Sequence, residues 1–393
     1  VRVAHRALPA LAWANVVAGA GTFMPAALLT PIAADLGAGV AATGQALTVF
    51  AAAMAIGAPL LAAATASIER RTLVVAVLLA FAALTAASAW VATLAAWLAV
   101  RAVAGAAASL ITPQAATVAG LLSPPERRAS AVAYVFNGYA MSIVLGLSIG
   151  AWTGAAFGWR WTMLGVAAMA VFGAAWVART VPRGLRVARI DLAATGALAR
   201  DPRTRAILAV TVLQATGQFL VYSYLGPLLE RQAGLEPRHA GLAFAALAAT
   251  GVVGGVVATR RLAVDRPARV VAAGLAAMAA GFAAWPLIPA SGGAWWALAW
   301  VALAWGTPVF AVNMAQQARL VQARPDVASM SIALNSSGMF VGQAVGTALA
   351  GAMIHAGAAG ALSWVGTALI ALALALSLRA ERSVPAAATP PTP

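Results

Sequence analysis

Twelve apolar runs, each near the ~20 residues a helix needs to cross a bilayer, fill most of the chain, and one charged stretch interrupts them. That stretch, Arg179 to Arg205, holds seven arginines and two aspartates. Charge of this density is costly in hydrocarbon, so residues 179–205 read as an Arg-rich cytoplasmic linker between two membrane-embedded halves. The first half, residues 1–178, has runs near Leu8–Ile32, Ala41–Ala66, Leu73–Trp90, Leu94–Leu121, Ala129–Trp152 and Trp161–Val177. The second, residues 206–379, has runs near Ala206–Leu229, Ala240–Thr259, Val270–Ile288, Trp295–Ala318, Ala328–Ile354 and Ala361–Leu378. Residues 380–393 end in Ala, Thr and Pro and are expected to be a disordered tail. The first run is too long for a signal peptide and counts as span one.

Composition supports an integral membrane protein. Sixty-three percent of residues are hydrophobic and 9% charged, against roughly 25% charged in a soluble domain. Backbone in lipid must satisfy its own hydrogen bonds, so the spans are helical. The expected fold class is an all-α membrane protein, twelve transmembrane helices in two pseudo-symmetric six-helix bundles. No cysteine is present, which removes disulfides and thiol chemistry. The net charge of +15 would suit nucleic acid, but its placement argues for membrane orientation instead. Of 25 basic residues, all arginine, 21 fall on the side of both termini and the linker; only Arg160, Arg231 and Arg238 fall opposite, and Arg101 lies within a span. Positive charge marks the inside, so both termini are expected in the cytoplasm, beside an anionic inner leaflet. The Lys-free, Ala-rich composition reads as that of a GC-rich bacterium, which places the chain in its cytoplasmic (inner) membrane.

The halves echo each other. Small residues recur every fourth place in span five (Gly138, Ser142, Gly146, Gly150, Gly154) and in span eleven (Gly338, Gly342, Gly346, Ala350). Both spans also carry Asn-x-x-x-Met, Asn137/Met141 and Asn335/Met339. Such ladders let helix backbones approach closely in lipid, and their matching positions suggest a repeated six-helix unit.

Enzyme chemistry finds little support. Gly146-Leu147-Ser148-Ile149-Gly150 matches a nucleophile-elbow pattern but sits mid-span, and His5, His239 and His355 all lie outside the spans. No catalytic residue, metal cluster or cofactor motif is expected. Polar residues within spans are costly and should face a bundle interior or a wet cavity. Asn15, Thr22, Gln114, Asn137, Trp305, Asn313 and Asn335 are candidates for lining a substrate cavity. Gln214, Gln218 and Tyr222, four apart and so on one helix face, form the strongest stripe. Spans three, six, nine and twelve hold little but an occasional Ser or Thr and read as lipid-facing scaffold. Arg101, roughly 10 Å into span four at ~1.5 Å per residue, either snorkels to the surface or serves as a cavity arginine for an anionic group or proton site.

Several stretches resemble the bacterial drug:proton antiporter branch of the major facilitator superfamily, in particular its arabinose-efflux-permease-like members. They are Pro31 to Gly37, Gly57-Ala58-Pro59-Leu60-Leu61, Arg101-Ala102-Val103-Ala104-Gly105, Gly158-Trp159-Arg160 and Ala333-Leu334-Asn335-Ser336 with Gly342-x-x-x-Gly346. The resemblance implies a monomeric secondary transporter exporting a small neutral or amphipathic molecule, drug or sugar-like, by alternating access, with protons as coupling partner. Two departures stand out. The family's loop between spans two and three keeps here only the basic pair Arg70 and Arg71, with Ala66 where an aspartate is usual, and Ser148 replaces a proline in span five. None of the ten acidic residues lies inside an expected span; Asp35, at the outer end of span one, is grouped with Arg70 and Arg71 as a gating or loop residue. An uptake carrier or uniporter without proton coupling, and a non-transporting membrane sensor, are the alternatives.

Overall fold

The computed structural model describes residues 2–124, 127–186, 198, 200–225, 227–229, 237–262, 265–287, 300, 305–323 and 328–382. Twelve long helices run through them: α1 (Arg2–Ala27), α2 (Val40–Ala64), α3 (Arg70–Ala87), α4 (Leu94–Leu122), α5 (Arg128–Phe157), α6 (Trp159–Thr180), α7 (Pro202–Tyr222), α8 (Pro237–Leu262), α9 (Pro267–Ala284), α10 (Thr307–Ala323), α11 (Ala328–His355) and α12 (Leu362–Arg382). No strand occurs among the described residues. Nine of these helices are, over their described residues, long and apolar enough to cross a membrane: α1–α4, α6, α7, α9, α11 and α12. Most of the expected linker, residues 187–197 and 199, lies outside the described residues, as does the tail from 383 onward.

Local chemistry sets the helix ends. Glu69 caps α3 by accepting from the Arg71 and Thr72 amides, and Thr93 caps α4 through Ala96. Asp201 caps α7, with Pro202 in the first turn where its missing N–H costs nothing. Between α5 and α6 the chain turns at Gly158, whose φ of 88° only glycine adopts without strain. The first apolar run breaks at Leu28, and a short helix, Leu29–Asp35, completes it. One boundary differs in consequence. Hydropathy puts Arg319 in a loop after span ten, yet α10 continues through it and buries it at 5% exposure, because protein partners there replace water.

The helices pair alike in the two halves. α1 lies along α5 as α7 lies along α11; α2 with α4 matches α8 with α10; α3 with α6 matches α9 with α12. Between the halves, α2 meets α11 and α5 meets α8, which are one pair under the same exchange. One apolar core is built almost wholly from α1–α6, with Phe340 of α11 joining it. A second is built from α7–α12 and takes in Phe23, Ala26, Leu29 and Leu47 from the first half. These four lie toward the face opposite the chain ends, so packing between the halves is strongest there.

Small residues bring the paired helices together. A β-carbon at Gly138 would overlap the Ala12 carbonyl of α1; one at Gly150 would fall 2.9 Å from Met24 Cγ, and at Gly146 3.4 Å from Ala20 Cα. On α11, a β-carbon at Gly342 would lie 2.5 Å from the Val212 carbonyl oxygen, one at Gly338 3.5 Å from a Val212 methyl, and one at Gly346 would overlap the Thr216 carbonyl.

Gly138→Val and Gly346→Val should each destabilise the fold by about 1–3 kcal/mol, because backbone rather than a flexible side chain blocks the added atoms. Gly146→Ala should be tolerated. Thermal unfolding in detergent with size-exclusion readout checks the contrast, and equal loss in all three would contradict it. The Glu69 carboxyl supplies a pH test. Its slight burial would raise its pKa, but hydrogen bonds from Thr72 Oγ1 and the Thr72, Arg71 and Gly184 amides outweigh this and hold it below the ordinary value. Its cap is therefore fully present above the unfolded-state pKa and is lost as pH falls through the lowered folded value. Glu69→Ala should cost roughly 0.5–1 kcal/mol at neutral pH, as expected for an exposed cap, with the deficit shrinking in acid.

Candidate functional site

The face of α7 that carries Gln214, Gln218 and Tyr222 points into the protein. Gln214 and Tyr222 are buried and Gln218 is half-buried. The Gln214 side-chain amide donates to Gln218 Oε1 at 3.0 Å, while Gln214 Oε1 accepts nothing from the described residues. One turn from Gln218, Tyr222 stands edge-on to Trp305 at 5.4 Å and to Phe23 of α1 at 5.9 Å between ring centres. Phe219 stacks nearly parallel on Phe23 at 6.3 Å, and Phe23 meets Tyr139 of α5 edge-on at 5.7 Å. Five rings, two from the first half and three from the second, thus close on one another where the halves meet. Trp305, in the wide turn that opens α10, is fully buried, and its indole N–H has no acceptor among the described residues. The junction is aromatic and amide-lined, and Gln214 Oε1, the Trp305 indole N–H and the Tyr139 hydroxyl along it find no hydrogen-bond partner among the described residues.

Farther toward the face opposite the chain ends, Tyr224 seals the halves. Its hydroxyl donates to the Ala41 carbonyl of α2 at 3.0 Å. The ring occupies space left by Gly44 of α2, and its hydroxyl would lie 2.8 Å from a β-carbon at Gly351 of α11.

Other sequence candidates are engaged within one half. Asn15 donates to the Val135 carbonyl of α5 at 2.8 Å, and Thr22 to the Ala18 carbonyl of its own helix. Gln114 lies near the chain-end face, where it accepts from Arg70 at 3.2 Å. Asn335 accepts from Thr211 at 2.7 Å, beside a network in which Gln316 donates to Thr211 and Arg319 donates to Gln316, Ser377 and Glu381. Asn313 is half-buried on α10; the side chain of Asn137 lies outside the described residues.

Arg101 does not snorkel. It is 1% exposed, donates to the Gly21 carbonyl of α1 at 2.7 Å and lies over the Phe50 ring of α2 at 4.0 Å. Its Nε and Nη1 find no acceptor among the described residues. The loop residues occupy opposite faces. Arg70 donates to the Ala66 carbonyl and Arg71 to the Ala178 carbonyl on the chain-end face. Asp35, on the other face, pairs with Arg160 and accepts from the Trp159 indole at 2.9 Å. Arg160 also donates to the Ala89 and Val91 carbonyls, tying α6 to the end of α3. Phe23, Tyr139, Phe219, Tyr224 and Arg319 are not singled out by the sequence. Tyr139, Phe219 and Tyr224 carry one available signal, their position a turn or less from the polar stripe or the glycine ladder; Phe23, on α1, has only its place beside Thr22.

Comparison with known proteins agrees with this architecture. Among curated proteins, a chloramphenicol resistance protein of Streptomyces lividans is 32% identical over 67% of this chain and 68% of its own length. A probable sugar efflux transporter of Mannheimia succiniciproducens is 25% identical over 95% of this chain and 93% of its own. Among solved structures, a bacterial homologue of the human lysosomal transporter Spinster, inward-facing and unoccupied, superposes with a TM-score of 0.72 at 17% identity, covering 97% of each chain. A D-xylose–proton symporter superposes at 0.76 with 14% identity, covering 94% of this chain and 96% of its own. The profile of the Major Facilitator Superfamily matches residues 11–332. With that match over most of its length, the chain belongs to the major facilitator superfamily of transporters.

Proposed function

We propose that the protein exports a small, neutral or amphipathic molecule by alternating access, with both termini in the cytoplasm of a bacterial inner membrane. The observation that carries this reading is the junction between the halves. Stacked and edge-on rings offer flat apolar faces, and the α7 amides offer neutral hydrogen-bond partners, which suits an aromatic drug or a sugar better than an ion. The Mannheimia relative's name, a probable sugar efflux transporter, supports export, and the Streptomyces relative's name, a chloramphenicol resistance protein, is consistent with an aromatic drug. In this reading the seal around Tyr224 closes the outer side, and the wet path to the junction opens toward the chain ends.

A second reading, uniport without proton coupling, is favoured by the placement of the acids among the described residues. Asp35 is 40% exposed and ion-paired, Glu381 is 41% exposed in the last turn of α12, and Glu69, Asp201 and Asp265 lie at helix ends or in loops. Proton carriers need a carboxyl whose pKa burial raises into the working range. Substrate added to lightly buffered purified protein decides between the two: proton release supports antiport, and its absence supports uniport.

Flux of chloramphenicol and of xylose into inverted proteoliposomes tests the junction. Gln218→Ala should lower flux of the transported probe about fivefold, equivalent to one lost hydrogen bond of about 1 kcal/mol, without changing the amount of folded protein. Tyr222→Ala, which removes a ring from the junction, should lower it further. Unchanged flux in both would remove the junction from the substrate path. The seal has its own test. Gly351→Val should obstruct its closure and raise labelling of a cysteine placed at Thr43 by a membrane-impermeant thiol reagent in intact cells, and unchanged labelling would count against the seal.

A further inference from the structure

A groove of about 520 Å³ runs down the membrane-facing side of the first half, between α3, the end of α6 and the chain just beyond it. Its mouth, at the chain-end face, carries Arg71 and Arg183; its wall is Val75, Ala76 and Leu79 of α3, with Ala178 of α6 opposite. Arg71 is pinned at the mouth by its bond to the Ala178 carbonyl, and Arg183 is exposed, as are Arg179 and Arg186 around it. Glu69 is the acid on the rim, and both its oxygens already accept, from Arg71 N, Gly184 N, Thr72 N and Thr72 Oγ1. Its charge is therefore directed at the start of α3, and the arginines set the sign of the mouth. Leu79 lies eight residues below Arg71, about 12 Å along the helix at ~1.5 Å per residue, and is 45% exposed to what would be acyl chains.

We propose that this groove binds one anionic glycerophospholipid, its phosphate held by Arg71 and Arg183 and one acyl chain lying along Val75, Ala76 and Leu79. Guanidinium groups are matched to phosphate oxygens in geometry and charge. The apolar wall below the mouth is what distinguishes a lipid from a soluble phosphate, which would leave that wall uncovered. The main chain at the start of α3 is bonded to the segment after α6, Arg70 N to Leu185 O at 2.9 Å, so the lipid would brace the point where the first half passes into the linker. The inference rests on the reading that sets the chain-end face against an anionic leaflet, but not on transport.

The test uses purified, substrate-free full-length protein, delipidated in detergent and titrated with phosphatidylglycerol, with thermal stabilisation and retained lipid by native mass spectrometry as readouts. Wild type should be stabilised saturably and retain one phosphatidylglycerol. Arg183→Gln should weaken apparent affinity about fivefold, the equivalent of about 1 kcal/mol for one arginine near an anionic headgroup. Ala76→Trp, which fills the groove without altering charge, should abolish the retained lipid. Arg71→Gln also breaks the Ala178 contact, so the other two variants carry the test. Equal stabilisation by phosphatidylcholine would overturn the proposal as general solvation, and equal stabilisation by glycerol phosphate alone would reduce it to a soluble-anion site. Unchanged lipid retention in both Arg183→Gln and Ala76→Trp would overturn it outright. Because no substrate is present, a negative result here leaves the flux measurements untouched, and a failure of flux leaves lipid retention to stand or fall alone.

Discussion

Close approach of helix backbones through small residues is the constraint on which the rest of the structure depends. Lipid tails are as apolar as leucine, so burying leucine against leucine gives membrane helices little reason to associate. What holds α1 to α5 and α7 to α11 is the dispersion attraction and backbone polar interaction that become possible when Gly138 or Gly346 lets one backbone rest on another. These pairs also carry the junction: Phe23 is on α1, Tyr139 on α5, and Phe219 and Tyr222 on α7. The glycine ladders therefore fix the spacing at which rings from opposite halves meet.

Much of this is legible in the sequence, because its signals are periodic. Runs of ~20 apolar residues mark the helices, arginine placement orders the loops, and a spacing of four marks both the ladder of α5 and the polar stripe of α7. What is not legible is partnership. Asn15, Gln114 and Asn335 share a residue class and a setting with Gln214, yet the first three are bound to Val135, Arg70 and Thr211 within their own half. Nothing in their spacing says which neighbour each will find. Phe23 and Tyr139 escape notice because an aromatic residue in an apolar run reads equally as lipid contact, core or interface. Arg319 is misplaced for a different reason: hydropathy ends a helix at its first charge, whereas α12 supplies Ser377 and Glu381 as partners and α10 carries on.

Two of the three arginines buried among the described residues show how differently one charge can be accommodated. Arg319 directs its donors to Gln316, Ser377 and Glu381, a set that locks α10 to α12. Arg101 has, among the described residues, a single carbonyl and the rings of Phe50 and, farther off, Trp97. An aromatic face offsets part of the desolvation cost of a guanidinium, but the Nε and Nη1 donors left without an acceptor among the described residues remain a penalty. Arg101 also joins α4 to α1 and α2 at the level of Gly21, two residues from Phe23. Any shift of α1 that moves Phe23 at the junction must therefore also move the carbonyl on which Arg101 depends.

The uneven distribution of packing between the halves follows from the same small residues. On the face opposite the chain ends, Phe23, Ala26, Leu29 and Leu47 enter the core of the second half, and Tyr224 fits over Gly44 beside Gly351. A seal built from one hydrogen bond, worth about 1 kcal/mol net, and a ring set against flat glycine surfaces is tight but shallow. Its surfaces meet chiefly as side chain against glycine, with Tyr224 over Gly44 and Gln45 against Gly351, whereas along the α5 ladder Leu28 and Met24 reach around Gly154 and Gly150. Within each half, then, glycine lets helix backbones rest on one another, while between the halves the contact is made by a few rings and aliphatic side chains that cross from one core into the other.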